Sequence, residues 1–447
     1  MKATLRVLPL FLVSLVYFSA TQLSAQDWLY TGTKLGSTRI RLAAADFKPV
    51  GSDPQITPLK TVFDSTLNND LANAGIFDMV SKSLAPQATP GSPQEIVLSQ
   101  WSAAPANASM VAFGAFSVNS GRLVVYGWLD DASNASNPQV LTEQYNEQSS
   151  EDMARTIAHR FADAIISRLG GGLNGIAETK IYFVSNRTGT KEIWVMDYDG
   201  ANQHAVTHVG STSLSPRISP DNSRIAFSSL ERSGWAIRMF SQDLGRLVSF
   251  PTGSAGGSNL SPAWSADGLQ IAFSSARSGH SEIWIADASG SNAHSITSFG
   301  TDVSPCWNPR TDGQIAFVSG RTGEPQIYVM DKDGANVQRM TDSGYAISPS
   351  WAPNGGMLTF SWDRKYGPGA PGSYDIYVMD IASKNWLQAT HEAGINDFPS
   401  WSPDGRHIVF QRQIGHRTQI WTMLANGTEQ RQLTYTGDNM MPNWSWK

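Results

Sequence analysis

One motif constrains this chain more than any other: Pro-x-Trp-Ser-x-Asp-Gly followed by an apolar strand, returning along the second half with small changes of spacing. Copies begin at Pro216, Pro262, Pro305, Pro349, Pro399 and Pro442, at intervals of 43 to 50 residues. A unit of that length, repeated, is the signature of a β-propeller, each blade a four-stranded meander. Each copy reads as a Pro-x-Trp strand, a turn, an Ile-Ala-Phe-Ser strand, a loop, a strand such as Glu282 to Asp287, a second turn and a short last strand ending in Thr. Asp267-Gly268, Asp404-Gly405, Asp333-Gly334 and Asp199-Gly200 predict two-residue hairpin turns, because glycine accepts positive φ. One Asp per turn is too few ligands for a calcium loop.

Counting strand types separately tests whether the ring closes. The Ile-Ala-Phe type starts at Ile181, Ile225, Ile271, Ile315, Leu358 and Ile408, and the following type at Ile193, Ile237, Ile283, Ile327, Ile376 and Ile420, giving six of each. No Pro-x-Trp strand precedes Ile181, yet an extra one, Pro442-Asn443-Trp444, stands near the C-terminus. The C-terminal strand is therefore expected to complete the first blade, since an open ring exposes an unpaired apolar edge at both ends. The fold class is multidomain: an N-terminal α/β domain, then a six-bladed all-β propeller closed by the C-terminal strand.

With 447 residues the chain exceeds one hydrophobic core. The expected division is a signal peptide at 1–25, an N-terminal arm at 26–38, an α/β domain at 39–169, a linker at 170–178 and the propeller at 179–447. Lys2 and Arg6, the apolar run from Val7 to Phe18, and Leu23-Ser24-Ala25 form a secretory leader. That run is shorter than the ~20 residues a membrane span needs. In the α/β part, strands are expected at Ile40 to Phe47, Met110 to Val118, Arg122 to Trp128 and Val140 to Tyr145. Helices are expected at Val62 to Ala74, ended by Gly75, and at Met153 to Leu169, whose stripe Met153, Ile157, Phe161 and Ile165 recurs at helical spacing. The arm reads as an exposed segment, either able to add a strand to a partner's sheet or simply frayed.

Composition and motifs narrow the function. A net charge of −5 and a pI near 5.9 give no basic field for a phosphate backbone, so nucleic acid is not an expected partner. Cys306 is the only cysteine, which excludes an internal disulfide and a lipid-modified mature N-terminus; it reads as a small buried hydrophobe. There is no Gly-x-Ser-x-Gly elbow and no His-Glu-x-x-His pair, and His204 and His208 fall on a strand and turn. A two-carboxylate glycosidase site stays open at this stage, but no catalytic residue, metal or cofactor is expected.

Leader, α/β unit, the glycine linker Gly170-Gly171-Gly172 and six Pro-x-Trp-Ser-x-Asp-Gly blades, in this order, resemble the TolB family of the periplasmic Tol-Pal system. The resemblance implies a non-enzymatic scaffold in the periplasm whose propeller mouth binds the lipoprotein Pal. It also implies an arm that binds TolA, in support of outer-membrane integrity and constriction at cell division. Carried onto this chain, the arm residues are Asp27, Trp28, Leu29 and Tyr30. The mouth residues are those just before each Pro-x-Trp strand, expected as loops around one end of the channel: Ser258, Asn259, Leu260, Thr301, Asp302, Val303, Tyr345, Ile347, Asn396, Asp397, Phe398 and Met440. The insertion from Arg364 to Ser373 reads as a surface loop that tunes partner choice. The alternative is a secreted propeller hydrolase or lyase with its site in the central channel.

Overall fold

A computed structural model of the chain describes residues 27–33, 35–36, 38–251, 257–311, 313–366, 373–391 and 394–446. The leader expected at 1–25 lies outside the described residues, as does most of the insertion, 367–372.

Six four-stranded sheets stand around one axis. Their innermost strands are Asn439–Trp444 in blade 1, Ser213–Ile218 in blade 2, Asn259–Trp264 in blade 3, Asp302–Trp307 in blade 4, Tyr345–Trp351 in blade 5 and Ile395–Trp401 in blade 6. Blade 1 takes that strand from the C-terminus, which pairs antiparallel with Lys180–Ser185, Asn439 opposite Ser185 and Trp444 opposite Ile181. The Trp444 indole also donates to Thr179 Oγ1 at 2.8 Å, so the junction is sealed by side chains as well as by the ladder. Each sheet buries both faces against its neighbours, and this is why the Ile-Ala-Phe strands are apolar throughout rather than alternating.

Two motif residues have roles different from those expected. In Ser-x-Asp-Gly, Ser265 N donates to Gln270 O, so the loop holds four residues, not two. Only Gly268 among them has a positive φ, 70°. The Asp accepts from the serine hydroxyl (Ser265 Oγ to Asp267 Oδ1, 2.6 Å) and from the backbone N–H two residues on (Leu269 N, 2.9 Å). Its carboxylate braces the loop from inside, as side chains do in Asx turns. The threonine ending the outer segment is a latch. Thr341 accepts from Ile327 N at 3.0 Å and donates to Gln326 Oε1 at 2.7 Å, an arrangement repeated by Thr390 with Ile376 and Asp375 and by Thr434 with Ile420 and Gln419.

The N-terminal domain is a mixed sheet with two long helices on one face. The strands are β1 (Ile40–Ala44), β2 (Lys48–Val50), β3 (Phe77–Met79), β4 (Met110–Asn119), β5 (Arg122–Asp131) and β6 (Gln139–Gln148), in the order β3-β1-β4-β5-β6 with β2 also on β4. The helices are α1 (Asp27–Thr33), α2 (Ile56–Asn73), α3 (Leu98–Ser102) and α4 (Glu151–Leu169). Helix α2 begins six residues before the expected Val62, because Pro58 falls in its first turn, where no N–H is needed. Ser150 caps α4 by accepting from Met153 N. Gly127 in β5 lets α4 approach: a Cβ there would lie 2.7 Å from the Phe161 ring.

This domain sits on the lower face of the propeller, over blades 6 and 1. Asp70 of α2 accepts from the Tyr198 hydroxyl at 2.6 Å and pairs with His159 of α4 at 2.7 Å, and Arg155 binds Asp199 at 2.7 Å. From blade 6, Arg406 donates to Gly75 O, and His407 is hydrogen-bonded to both Asp404 (2.7 Å) and Asn73 O (2.8 Å). The expected exposed arm is a short helix instead. Leu29 is fully buried beside Ala352, Met357, Trp401 and Met423 of blades 5 and 6, Trp28 packs against the same cluster, and Asn354 donates to Gly32 O. Seven residues do not hold a helix alone, so tertiary packing on the propeller supplies the stability.

Trp444→Ala removes a buried indole and the Thr179 hydrogen bond, and is expected to lower propeller stability by about 3–5 kcal/mol in urea denaturation followed by far-UV circular dichroism. The domain junction also carries a pH dependence. Burial raises the Asp404 carboxyl, but the His407 imidazolium and the Ser402 hydroxyl outweigh it and bring it down to about 2. Burial depresses His407, and Asp404 outweighs that, leaving the imidazole above its usual value. The Asp404 contribution is present above the unfolded carboxyl value of 3.8 and is lost as pH falls toward about 2. The His407 contribution is complete below 6.5 and is lost as pH rises through the higher folded value. Unfolding free energy measured from pH 5 to 9 should therefore fall on the alkaline side, and His407→Gln should flatten that fall.

Candidate protein-binding face

The face opposite the N-terminal domain, where the innermost strands begin, surrounds the upper mouth of the channel. The residues expected there as loops are mostly the first residues of those strands: Asn259 and Leu260, Asp302 and Val303, Tyr345 and Ile347, Asn396 to Phe398, and Met440 all lie within the ladder. Only Ser258 and Thr301 precede it, and Thr301 is exposed.

The polar residues in this set face inward for a structural reason. Asn259, Asp302, Asn396 and Asn439 are buried, and each holds an arginine carried by the second strand of its own blade (Arg412) or standing two residues beyond it (Arg187, Arg277 and Arg321). Arg277 donates to Asn259 Oδ1, Arg321 to Asp302 at 3.0 Å, Arg412 to Asn396 Oδ1 at 2.7 Å and Arg187 to Asn439 Oδ1 at 3.1 Å. Each guanidinium also stacks on an aromatic ring of its blade: Arg187 lies 4.2 Å from Trp194, Arg277 4.4 Å from Trp284 and Arg412 4.6 Å from Trp421. These clamps fix the height of the rim. Burial, with amides rather than carboxylates opposite, lowers the pKa of Arg187 and Arg277 from its ordinary value.

One residue further along every innermost strand slips register by a bulge, at Ser215, Ser261, Ser304, Ser348, Phe398 and Met441, all with φ between 50° and 55°. Three freed N–H groups cross to the neighbouring blade: Ser261 to Ser228 Oγ, Ser304 to Ser274 Oγ and Met441 to Gln411 Oε1, each at 2.9 to 3.0 Å. Asp397 accepts from both Phe398 N and the Ser361 hydroxyl, and burial raises its carboxyl above the usual range.

What this face offers a partner is aromatic and apolar. Tyr345 meets Tyr366 at 5.3 Å and Tyr374 at 5.9 Å, edge to face, beside the insertion. Phe299 is 66% exposed, Tyr435 69% and Ile414 62%, on the loops that connect blades and on the outer hairpin of blade 6. Reading the strands alone missed these three, although each is a large apolar residue in a polar stretch. Aromatic anchors in a polar rim are the composition of protein-binding surfaces. Among the described residues no three His, Cys, Asp or Glu side chains gather as metal ligands, and no helix is long and apolar enough to cross a membrane.

Fold and face together define a class: a two-domain propeller protein with an aromatic upper rim and an α/β domain clamped below. The chain matches the family described as the TolB beta propeller domain over residues 168–367 and 343–447, and it belongs to that family. It is 30% identical over 192 residues to the Tol-Pal system protein TolB of Actinobacillus succinogenes, covering 42% of this chain and 43% of that one. It is also 30% identical over 195 residues to a TolB homolog of Chlorobium luteolum, covering 44% and 43%. The chain thus spans about 43% of the length of these curated relatives. Its fold is similar to the crystal structure of TolB from Acinetobacter baumannii, with a TM-score of 0.75 at 23% identity over 92% of this chain and 97% of that one.

Asn396→Ala leaves the buried Arg412 and Asp375 each short of a partner, and is expected to cost about 1–3 kcal/mol of stability by urea denaturation.

Proposed function

We propose that this chain is a non-enzymatic scaffold of the periplasmic Tol-Pal system. Its upper rim binds the peptidoglycan-associated lipoprotein Pal and its N-terminal arm binds TolA, supporting outer-membrane integrity and envelope constriction during division. Family membership supports the reading, as does the name Tol-Pal system protein carried by relatives in Actinobacillus succinogenes and Escherichia coli. The observation that carries it is the separation of two surfaces. Exposed Phe299, Ile414 and Tyr435 and half-buried Tyr345 ring one face, while the arm and the N-terminal domain occupy the other, so two partners meet no steric conflict. Of the residues proposed for the mouth, Thr301, Tyr345, Ile347, Phe398 and Met440 keep exposed or half-exposed side chains. Ser258, Leu260 and Val303 are half-buried beside them, while Asn259, Asp302 and Asn396 act through the clamps that position the rim and Asp397 through its bonds to Phe398 N and the Ser361 hydroxyl. In the arm, Asp27, Trp28, Leu29 and Tyr30 present themselves to TolA only after the helix leaves its site, because Leu29 is buried.

The channel wall weighs against a hydrolase or lyase. Its tryptophan-lined cavity is Pro, Trp, Ile, Ala, Ser, Cys, Asn and one Arg, and no carboxylate or imidazole is among the described residues that line that cavity to serve as an acid and base pair there. Crosslinked pull-down from envelope extract is expected to recover a peptidoglycan-binding lipoprotein, and Tyr345→Ala with Tyr435→Ala to weaken its capture at least about tenfold. Deleting residues 26–33 should abolish TolA capture and leave lipoprotein capture intact. Recovery of no lipoprotein by the wild-type chain overturns the reading.

A further inference from the structure

Five tryptophans of the Pro-x-Trp repeat, Trp264, Trp307, Trp351, Trp401 and Trp444, wall the channel, and blade 2 breaks the series with Pro216-Arg217-Ile218. Inside the wall lies a cavity of about 80 Å³. The variable residue of each motif faces it: Arg217, Ala263, Cys306, Ser350, Ser400 and Asn443.

The polar capacity of this ring is lopsided. Its oxygens are engaged as acceptors: Asn443 Oδ1 takes the Ile218 N–H at 3.0 Å, Ser400 Oγ takes Trp444 N at 3.1 Å and Asn443 Nδ2 at 3.3 Å, and Ser350 Oγ takes Trp401 N at 3.4 Å. Even the Arg217 and Cys306 carbonyls are taken, by the Trp264 and Trp351 indoles at 3.0 Å. The hydroxyl hydrogens of Ser350 and Ser400 remain unspent. So do most donors of Arg217, whose one hydrogen bond among the described residues is from Nη1 to the Pro216 carbonyl at 2.9 Å. Burial lowers this arginine's pKa, and the nearest ionisable group is no carboxylate but the Cys306 thiol, which burial pushes up and so keeps neutral. A half-buried cation without a counter-charge favours an anion beside it, and donors without acceptors add to that preference.

We propose that the propeller channel is a specific binding site for one small anion, of halide or formate size, held by the Arg217 guanidinium and the Ser350 and Ser400 hydroxyls. The cavity has room for such an ion and a water or two, at about 30 Å³ per water, but not for a sugar or peptide. The missing sixth indole is what opens the space, since Ile218 stands where the other blades carry tryptophan. This site goes beyond the scaffold reading and does not rest on it: the upper rim and the arm take no part in it.

The test titrates sodium formate, and separately sodium bromide, into the full chain in a bulky sulfonate buffer whose own anion is too large to enter, followed by calorimetry and by thermal melting. Wild type should bind one equivalent of each and melt at a higher temperature as the anion is added. Arg217→Ala copies the residue that blade 3 already carries at Ala263, so the ring should tolerate it; binding should weaken at least about tenfold and the anion should no longer raise the melting temperature. Arg217→Gln repeats the test without opening the cavity, and Arg232→Ala, at an exposed position, should behave as wild type. Crystals soaked in bromide should show one anomalous peak beside Arg217. Absence of saturable uptake by the wild-type chain, or equal uptake by both Arg217 variants as an adventitious ion only, overturns the proposal.

Discussion

Everything about this propeller depends on one pairing, the strand Asn439–Trp444 against Lys180–Ser185. Ladder bonds and the Trp444–Thr179 contact join two segments more than 250 residues apart, and they leave no sheet edge free on the inner circle. Only a closed circle holds six bulged strands at one height, and that shared height gives the upper rim its clamps and the channel its ring of indoles. The lower face inherits the same register, because Arg406 and His407, which grip the C-terminal end of α2 at Gly75 and Asn73, end the turn after the blade 6 tryptophan strand and begin the next strand.

The circle was legible before any coordinate because propeller motifs are local: Pro, Trp, Ser, Asp and Gly each solve a problem within a few residues of themselves. Six copies of two strand types, with the sixth Pro-x-Trp strand at the wrong end, leave one topology. Less legible was what lies between motifs. Asn259, Asp302 and Asn396 look like loop residues because they are polar, yet each is buried to hold an arginine brought from the next strand, and strand-to-strand partnership is not written in spacing. Likewise QDWLYTGT carries no helical stripe of its own, and its helix exists because blades 5 and 6 present a socket for Leu29. Asp-Gly misled about loop length, since the aspartate is used for its carboxylate and the glycine alone for its backbone.

The candidate surfaces follow the same division. Tyr345 and Phe398 could be singled out by position in the repeat, whereas Phe299, Ile414 and Tyr435 required knowing which loops share a face. The Arg217 site had a visible trace in the sequence: one copy of the motif lacks its tryptophan and carries the only charged residue at the variable position. Its meaning depends on the exhaustion of neighbouring acceptors, which only the three-dimensional arrangement reveals.

Ring closure also sets a schedule. Blade 1 cannot be finished until residues 439–444 have arrived, because its innermost strand follows all of blades 2 to 6 in chain order. While the chain emerges from the N-terminus onward, blades 2 to 6 can stack on one another, but the two ends of that arc stay raw. Native contacts of such long sequence separation form slowly, so a stalled or clipped tail would strand an arc that is nearly complete and prone to join another like itself.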